Sequence, residues 1–282
     1  HSIHKQIHAM MWDSAFFQCI NESRKYSVKN EKGEDKRNEM LHSFINQSFF
    51  KTQLLAIRKL VDKDFGRVIK GKQYTVYSLY NLIEDMKKNK ALLTRGNILA
   101  FNNWPYDYEK AKVEFEKNAD YTQGYVCVPG EIGSSELTHK YIDSVTGITA
   151  DKRSPDDLIP VNTLEQFEIK LNDIEGLCKY VDKYIAHSAT SESRKNVPEE
   201  IEGALGKVLN AHRIICETAS YIGNRLLFCG FGFFLAGPHY GKLDRFDVFE
   251  HLDEPIASKE TIEKLREFWQ KYKIETERWN QL

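Results

Sequence analysis

The sequence predicts an all-α protein. Apolar residues recur at steps of three and four through most of its long segments, the spacing that lines one face of a helix. Residues that favour helix starts precede several of these segments, and glycine and proline concentrate between residues 121 and 160. With 41% hydrophobic and 29% charged residues, the 282-residue chain has the composition of a globular protein and enough length for a sizeable core. We therefore expect a single all-α domain over residues 1–282.

The N-terminal part of the chain is expected to form four helices. The first has an apolar face that includes Ile7 and Met11, and a charged stretch at 30–37 separates it from the second. Pro105 suits the first turn of the fourth helix, because that position needs no backbone N–H donor. The expected ranges are 4–28, about 36–61, about 76–88, and a helix that opens at Pro105 and contains Tyr108 and Phe115.

Residues 121–160 are expected to form an irregular insertion in the helical domain. Glycines and prolines interrupt this stretch repeatedly, and two short pieces, 125–128 and 141–145, are rich in residues that favour strands. The stretch is longer than an ordinary connection between helices. We therefore expect an ordered excursion or a mobile flap.

A long central helix is expected from Thr163. Thr163 and Gln166 form a helix-start pair whose hydroxyl and amide can satisfy free backbone N–H groups. An apolar stripe at steps of three and four follows. Lys179, Lys183 and His187 are spaced by four, so they share a neighbouring face of the helix. This places a histidine at the C-terminal end of a long helix, beside basic side chains.

Two more helices are expected after the central one. The first covers about 196–219, and the second is the C-terminal helix at 258–282, for which Ser258 is a suitable cap. An aromatic run at 226–237 lies between them. This run is about half as long as a membrane-spanning helix must be, and it contains three glycines. We expect neither a membrane anchor nor a signal peptide.

The string Tyr180-Val-Asp-Lys-Tyr-Ile-Ala-His187 resembles the motif helix of HEPN-domain proteins, most closely the branch associated with bacterial abortive infection. Many HEPN proteins are metal-independent ribonucleases, with a motif of an arginine, a polar residue and, further on, a histidine. His187 stands at the histidine position and Asp182 at the polar position. Val181 occupies the arginine position, and it is in phase with the apolar stripe, so we expect it in the core.

The resemblance implies an up-and-down helical bundle that forms a homodimer, with a ribonuclease site at the dimer interface. Such a site needs a base for the ribose 2′-hydroxyl, an acid for the leaving 5′-oxygen and cations for the phosphate. Histidine suits the proton transfers because its pKa lies near working pH, and lysine or arginine supplies the charge. The catalytic candidates are His187, Lys183 and Asp182, and the RNA-binding candidates are Lys179, Tyr184, Arg194 and Lys195.

Two other functions fit the same sequence. The chain could be a catalytically inactive relative, a helical module that binds RNA or a protein partner without cleavage, and Val181 favours this alternative. It could also be a structural dimerisation domain with the aromatic run at 226–235 as its contact surface. An antitoxin or another regulatory protein is the kind of partner that the resemblance implies.

Charge, cysteine content and histidine spacing bear on the partners, the compartment and the metal content that we expect for this chain. The formal net charge is −1, so no global field marks the chain as a nucleic-acid binder, although a local basic surface would suffice. Five cysteines without a Cys-x-x-Cys pair predict reduced thiols and a cytoplasmic protein. His4 and His8 lie one helical turn apart but lack a third metal ligand at matching spacing. We therefore expect no metal and no cofactor.

Overall fold

The computed structural model describes residues 2–26, 39–64, 66–69, 72–74, 76–119, 127–185, 194–195, 197, 203–229 and 259–279. Over these residues the chain forms a helical bundle with one short hairpin, which confirms the all-α prediction. The helices are α1 (Ser2–Ser23), α2 (Glu39–Leu60), α3 (Leu79–Lys88), α4 (Arg95–Phe101), α5 (Tyr108–Asn118), α6 (Gly130–Thr146), α7 (Asn162–Asn172), α8 (Glu175–Tyr180), α9 (Ala204–Tyr221) and α10 (Lys259–Arg278). Strands β1 (Arg67–Ile69) and β2 (Lys72–Tyr74) pair antiparallel, and π-helical segments continue α8 over Val181–Ile185 and α9 over Ile222–Leu226.

The chain forms two compact units. We call residues 1–81, 169–220 and 231–282 the terminal unit, and residues 82–168 and 221–230 the central unit. The single domain expected over residues 1–282 stays a prediction. A single cooperative unfolding transition shared by both units would confirm it.

The core of the terminal unit forms where α1 packs against α2 and α10. One apolar cluster joins Ala15, Cys19 and Ile20 of α1 to Leu265, Trp269 and Tyr272 of α10. The hydroxyl oxygens of Ser14 and Tyr272 lie 3.1 Å apart, so the buried tyrosine keeps a polar partner inside the core. Phe17 stacks on Phe49 of α2 with ring centroids 3.7 Å apart.

The predicted central helix is divided in two. A turn at Asp173 and Ile174 separates α7 from α8, where one helix was expected from Thr163 onward. Asn172, Asp173 and Gly176 lie together at this point, and their low helix propensity outweighs the continuous apolar period. His187 and the segment around it lie outside the described residues.

Residues 130–146 form a helix of 17 residues, so the irregular insertion expected at 121–160 is wrong over this range. The strand-prone piece at 141–145 lies inside α6. Apolar periodicity missed this helix because three of its five buried positions carry the polar residues Ser135, Thr138 and His139. α6 begins after Pro129 and ends at Gly147, which adopts a left-handed conformation with φ 71°.

The described residues contain no helix that is both long and apolar enough to cross a bilayer. All five cysteines lie among these residues, and all are free thiols. Of the aromatic run proposed as a dimer surface, only Leu226–Cys229 is described. The remainder of that run lies outside the described residues.

The terminal unit also buries the side chain of His212 completely. This residue of α9 has no exposed surface, and among the described residues neither ring nitrogen finds a donor or an acceptor. Burial lowers the pKa of the His212 imidazole from 6.5 to about 3, because the charged form is excluded from an apolar surrounding. The side chain is therefore neutral at pH 7, and its two desolvated ring nitrogens lower the stability of the folded protein.

We expect His212→Leu to stabilise the protein at pH 7, by about 1–3 kcal/mol, because leucine fills a similar volume without unpaired nitrogens. The advantage should grow as the pH falls from 6.5 toward 3, since in this window the unfolded wild-type chain binds a proton at His212 that the folded chain resists. Thermal melts at several pH values measure both effects. His8→Leu, at a half-buried position of α1, is the matched control. An equal pH response in wild type and His212→Leu would contradict the assignment.

Candidate functional site

A groove of about 310 Å³ lies between the C-terminal end of α2 and α8 with its π-helical extension. Both walls belong to the terminal unit. The groove is lined by Arg58, Val61, Asp62, Lys63, Asp64, Leu171, Glu175, Cys178, Lys179 and Asp182. Two residues predicted from the sequence, Lys179 and Asp182, therefore share one open surface with charged residues that follow one another near the end of α2.

The segment after α2 is held in place by its own side chains. Asp62 accepts a hydrogen bond from the backbone N–H of Asp64 at 2.9 Å, and Asp64 accepts one from the N–H of Gly66 at 3.0 Å. Ser78 donates to the backbone oxygen of Asp62 at 2.6 Å, and Asn81 donates to that of Asp64 at 2.9 Å. The acidic wall of the groove is thus fixed before any ligand binds.

Arg58 joins the two walls of the groove. Its Nε donates to Oδ1 of Asp182 at 2.9 Å, and its Nη1 lies 2.7 Å from Oδ1 of Asp62. Partial burial lowers the pKa of Arg58, but the contacts with Asp62 and Asp182 outweigh burial and raise that pKa above its usual value. The guanidinium therefore stays positively charged and ties α2 to the π-helical segment.

The other cations of the groove also face a carboxylate. Glu175 lies 3.1 Å from Lys179 and 3.8 Å from Lys63, and Lys63 donates to Asn172 at 2.8 Å. Burial raises the pKa of the Cys178 thiol to about 11, although Arg58 acts in the opposite direction. Cys178 is therefore protonated at neutral pH, and it is not a thiolate nucleophile.

The residues of the motif helix differ in whether they face the core or the groove. Val181 has no exposed surface, as expected from its place on the apolar stripe. Asp182 and Lys179 line the groove, and Lys183 is half-buried in the π-helical segment. His187 lies outside the described residues.

Tyr184 and Arg194 contact each other. The Arg194 guanidinium lies 4.9 Å from the ring centroid of Tyr184, and Tyr180 stacks on Tyr184 at 5.0 Å. The Tyr184 hydroxyl donates to the backbone oxygen of Val197 at 2.9 Å, which ties Val197 to the π-helical segment. Lys195 is exposed. Of the predicted RNA-binding residues, only Lys179 lines the groove.

Sequence reasoning missed Arg58, Asp62 and Lys63 as site residues. Arg58 lies 124 positions before its partner Asp182. No spacing rule connects residues at that distance. The pair of Arg58 near the end of α2 and Asp62 just beyond it has the pattern of an ordinary solvated helix end. Only the packing of α2 on α8 brings Arg58 and Asp182 together.

A second cluster of charged groups is buried in the central unit around Arg95, which has no exposed surface. Arg95 donates to Asp157 at 2.9 Å, to Asp143 at 2.8 Å and to Nδ1 of His139 at 2.9 Å. Since arginine only donates, Nδ1 of His139 must accept, and Nε2 carries the proton and donates to the backbone oxygen of Tyr106 at 2.9 Å. His139 is thus held as the neutral Nε2–H tautomer.

Arg153 completes this cluster. Its Nη2 donates to Asp143 at 2.6 Å, and its Nη1 donates to the Tyr108 hydroxyl at 3.2 Å. Burial acts to raise the pKa of Asp143, but hydrogen bonds from Arg153 and Arg95 more than offset burial and lower that pKa below 3.8. The groups of the cluster satisfy one another, so we interpret it as a clamp that fixes α4, α5 and α6 rather than as a reactive site.

No group of three or more histidine, cysteine, aspartate or glutamate side chains in the described part of the chain could hold a metal ion. Comparison with protein-family models, with curated proteins and with solved structures finds no significant match to this chain. The functional assignment therefore depends on the groove and on the motif sequence of the helix that borders it.

Proposed function

We propose that this chain is a HEPN-like protein of the bacterial defence or toxin type, a cytoplasmic, metal-independent endoribonuclease that acts as a homodimer. The observation that supports the proposal is the groove along α8 and its π-helical extension. The helix with the ribonuclease-like motif borders an open, charged surface that contains an arginine, Arg58, although the motif itself lacks one. π-Helical segments are rare and frequently occur at functional sites.

The proposed reaction is transesterification of RNA. A base removes the proton from a ribose 2′-hydroxyl, the 2′-oxygen forms a bond to phosphorus, and the bond from phosphorus to the 5′-oxygen breaks as an acid protonates that oxygen. The products are a 2′,3′-cyclic phosphate and a 5′-hydroxyl. His187 serves as base or acid. Because one histidine does not hold both roles in the same step, a second copy of the chain supplies the other histidine.

Lys183 and Asp182 flank this chemistry in the proposal. Lys183, four residues before His187, adds positive charge near the phosphate, and Asp182 orients the cations around it. Lys179, Tyr184, Arg194 and Lys195 contact the RNA beyond the cleaved bond. An antitoxin or another regulatory protein would act by covering the groove.

The second candidate is a non-cleaving module that binds RNA or a protein partner. Two observations favour it. Val181 is buried, so the arginine position of the motif does not face a ligand. The charged lining of the groove consists of four carboxylates and three basic groups, a net charge of −1, which opposes phosphate binding and, within this candidate, favours a protein partner over RNA.

The deciding experiment is RNA cleavage by purified protein in excess EDTA. We expect wild-type protein to leave cyclic phosphate ends, and His187→Ala to cut roughly 100-fold more slowly or worse, which is the usual loss when a general acid or base is removed. His8→Ala, at another histidine of the chain, is the control, and thermal melts verify that all three proteins fold.

The outcomes separate the two candidates. Cleavage that is lost in His187→Ala alone supports the ribonuclease. Equal cleavage by all three proteins removes His187 as the catalyst. RNA binding without cleavage supports the non-cleaving module.

A further inference from the structure

Arg58 is held by two carboxylates that approach it from different elements. Asp62 lies four residues on, just past the end of α2, and Asp182 lies on the π-helical segment. The side chains of Arg58, Asp62 and Asp182 are 27%, 21% and 38% exposed, so the contacts lie within reach of solvent at the open side of the groove. Solvated ion pairs of this kind are weak enough to be exchanged for another anion.

We propose that Arg58 is the phosphate-binding residue of this groove, and that Asp62 and Asp182 are internal counter-ions, of which an RNA phosphate replaces Asp182. The inference rests on the proposed function, because it names the anion as an RNA phosphate. In the absence of RNA, Arg58 is bound by Asp62 and Asp182. RNA binding then requires an exchange of anions at Arg58.

The geometry of arginine carries the first step of this inference. The guanidinium fork binds carboxylate and phosphate oxygens in the same planar arrangement, with N–H groups that point in fixed directions. The oxygens of Asp182 and Asp62, at 2.9 Å and 2.7 Å, therefore occupy positions that phosphate oxygens would take. The motif helix supplies no arginine that could compete for this place, because its arginine position is occupied by the buried Val181.

The two carboxylates differ in how firmly they are held. Oδ1 of Asp62 also accepts the backbone N–H of Asp64, and its backbone oxygen accepts the Ser78 hydroxyl. Asp182 has no partner besides Arg58 among the described residues. Its displacement costs one ion pair and leaves the fixed wall of the groove intact. Asp182 is therefore the group that leaves.

Charge carries the last step. The groove lining has a net charge of −1 from four carboxylates and three basic groups. Neutralising any one carboxylate brings that sum to zero, but only Asp182 and Asp62 contact Arg58. Asp182→Asn should therefore favour phosphate both through the field of the groove and through the release of Arg58. Glu175→Gln makes the same charge change in the same groove without touching Arg58.

The test is a double-mutant cycle on the full chain, read by fluorescence anisotropy of a labelled single-stranded RNA oligonucleotide. We expect Asp182→Asn to bind RNA about three- to tenfold more tightly than wild type, and Glu175→Gln to show a smaller gain. Arg58→Gln should weaken binding about tenfold and should abolish the gain from Asp182→Asn when the two are combined. Arg58→Lys, which keeps the charge without the fork, should fall between wild type and Arg58→Gln.

Each outcome decides between defined alternatives. Equal gains in Asp182→Asn and Glu175→Gln, or a gain that persists without Arg58, would overturn the inference and leave the proposed function standing. RNA binding and cleavage that are unchanged in Arg58→Gln and Arg58→Lys would do the same. If neither wild type nor Asp182→Asn binds RNA, the proposed function fails together with the inference.

Discussion

Replacing Arg95 by methionine is expected to lower the free energy of unfolding by about 3–5 kcal/mol, the largest stability effect that we predict. Methionine keeps the aliphatic volume but removes every donor. Asp157 and Asp143 would then keep their negative charges in a largely buried site without the guanidinium that contacts both, and Nδ1 of His139 would lose its donor. Arg153 would still contact Asp143, so Asp157 and Nδ1 of His139 are the groups that would lose their side-chain donor.

Chemical denaturation followed by circular dichroism measures this effect. Lys140→Met is the matched control in the same unit, since Lys140 forms an exposed pair with Glu136 one helical turn away and its loss should change stability little. The double variant Arg95→Met with Asp157→Asn should recover part of the loss, because it removes one of the stranded charges. Wild-type stability in Arg95→Met would show that the buried network does not stabilise the central unit.

Val181→Arg, which places an arginine at the position implied by the resemblance to HEPN proteins, is expected to destabilise the protein by about 3 kcal/mol or more rather than to increase RNA cleavage. Val181 has no exposed surface and lies at the first position of the π-helical segment. An arginine there would bury an unpaired charge or force the segment apart from its neighbours. The position at which the resemblance to HEPN proteins places an arginine is one that the core of the terminal unit needs to be apolar.

Lys179→Arg is the appropriate comparison for Val181→Arg. It places an arginine on the exposed face of the same helix, in the lining of the groove, without a change in charge. We expect this variant to melt at the wild-type temperature and to bind RNA at least as well as wild type. A stable Val181→Arg protein with increased cleavage would instead mean that position 181 reaches the substrate.

The apolar period of the sequence predicts the helices whose buried positions are apolar, and it misses the helix whose buried positions are polar. The period of three and four placed α2 and α3 correctly to within a few residues, because their buried positions are predominantly apolar. It also placed α1, although the expected end at 28 lies beyond the last residue of that helix, Ser23. The same rule failed for α6, where Ser135, Thr138 and His139 are buried. Ser135 and His139 are acceptable in the interior because the backbone oxygens of Pro105 and Tyr106 and the guanidinium of Arg95 supply their partners. Such partners do not appear in a local pattern.

The sequence by itself determined the all-α class, the apolar stripe that buries Val181, and the motif-like string that ends in His187. These depend on periods and neighbours within one helix. Only the tertiary structure decided that Arg58 meets Asp182, and that Arg95 gathers Asp143, Asp157 and His139. The reason is physical. A helix period specifies which face of an element is buried, but the partner of a charged side chain depends on which distant elements pack together, and the free energy of that packing is spread over the whole core.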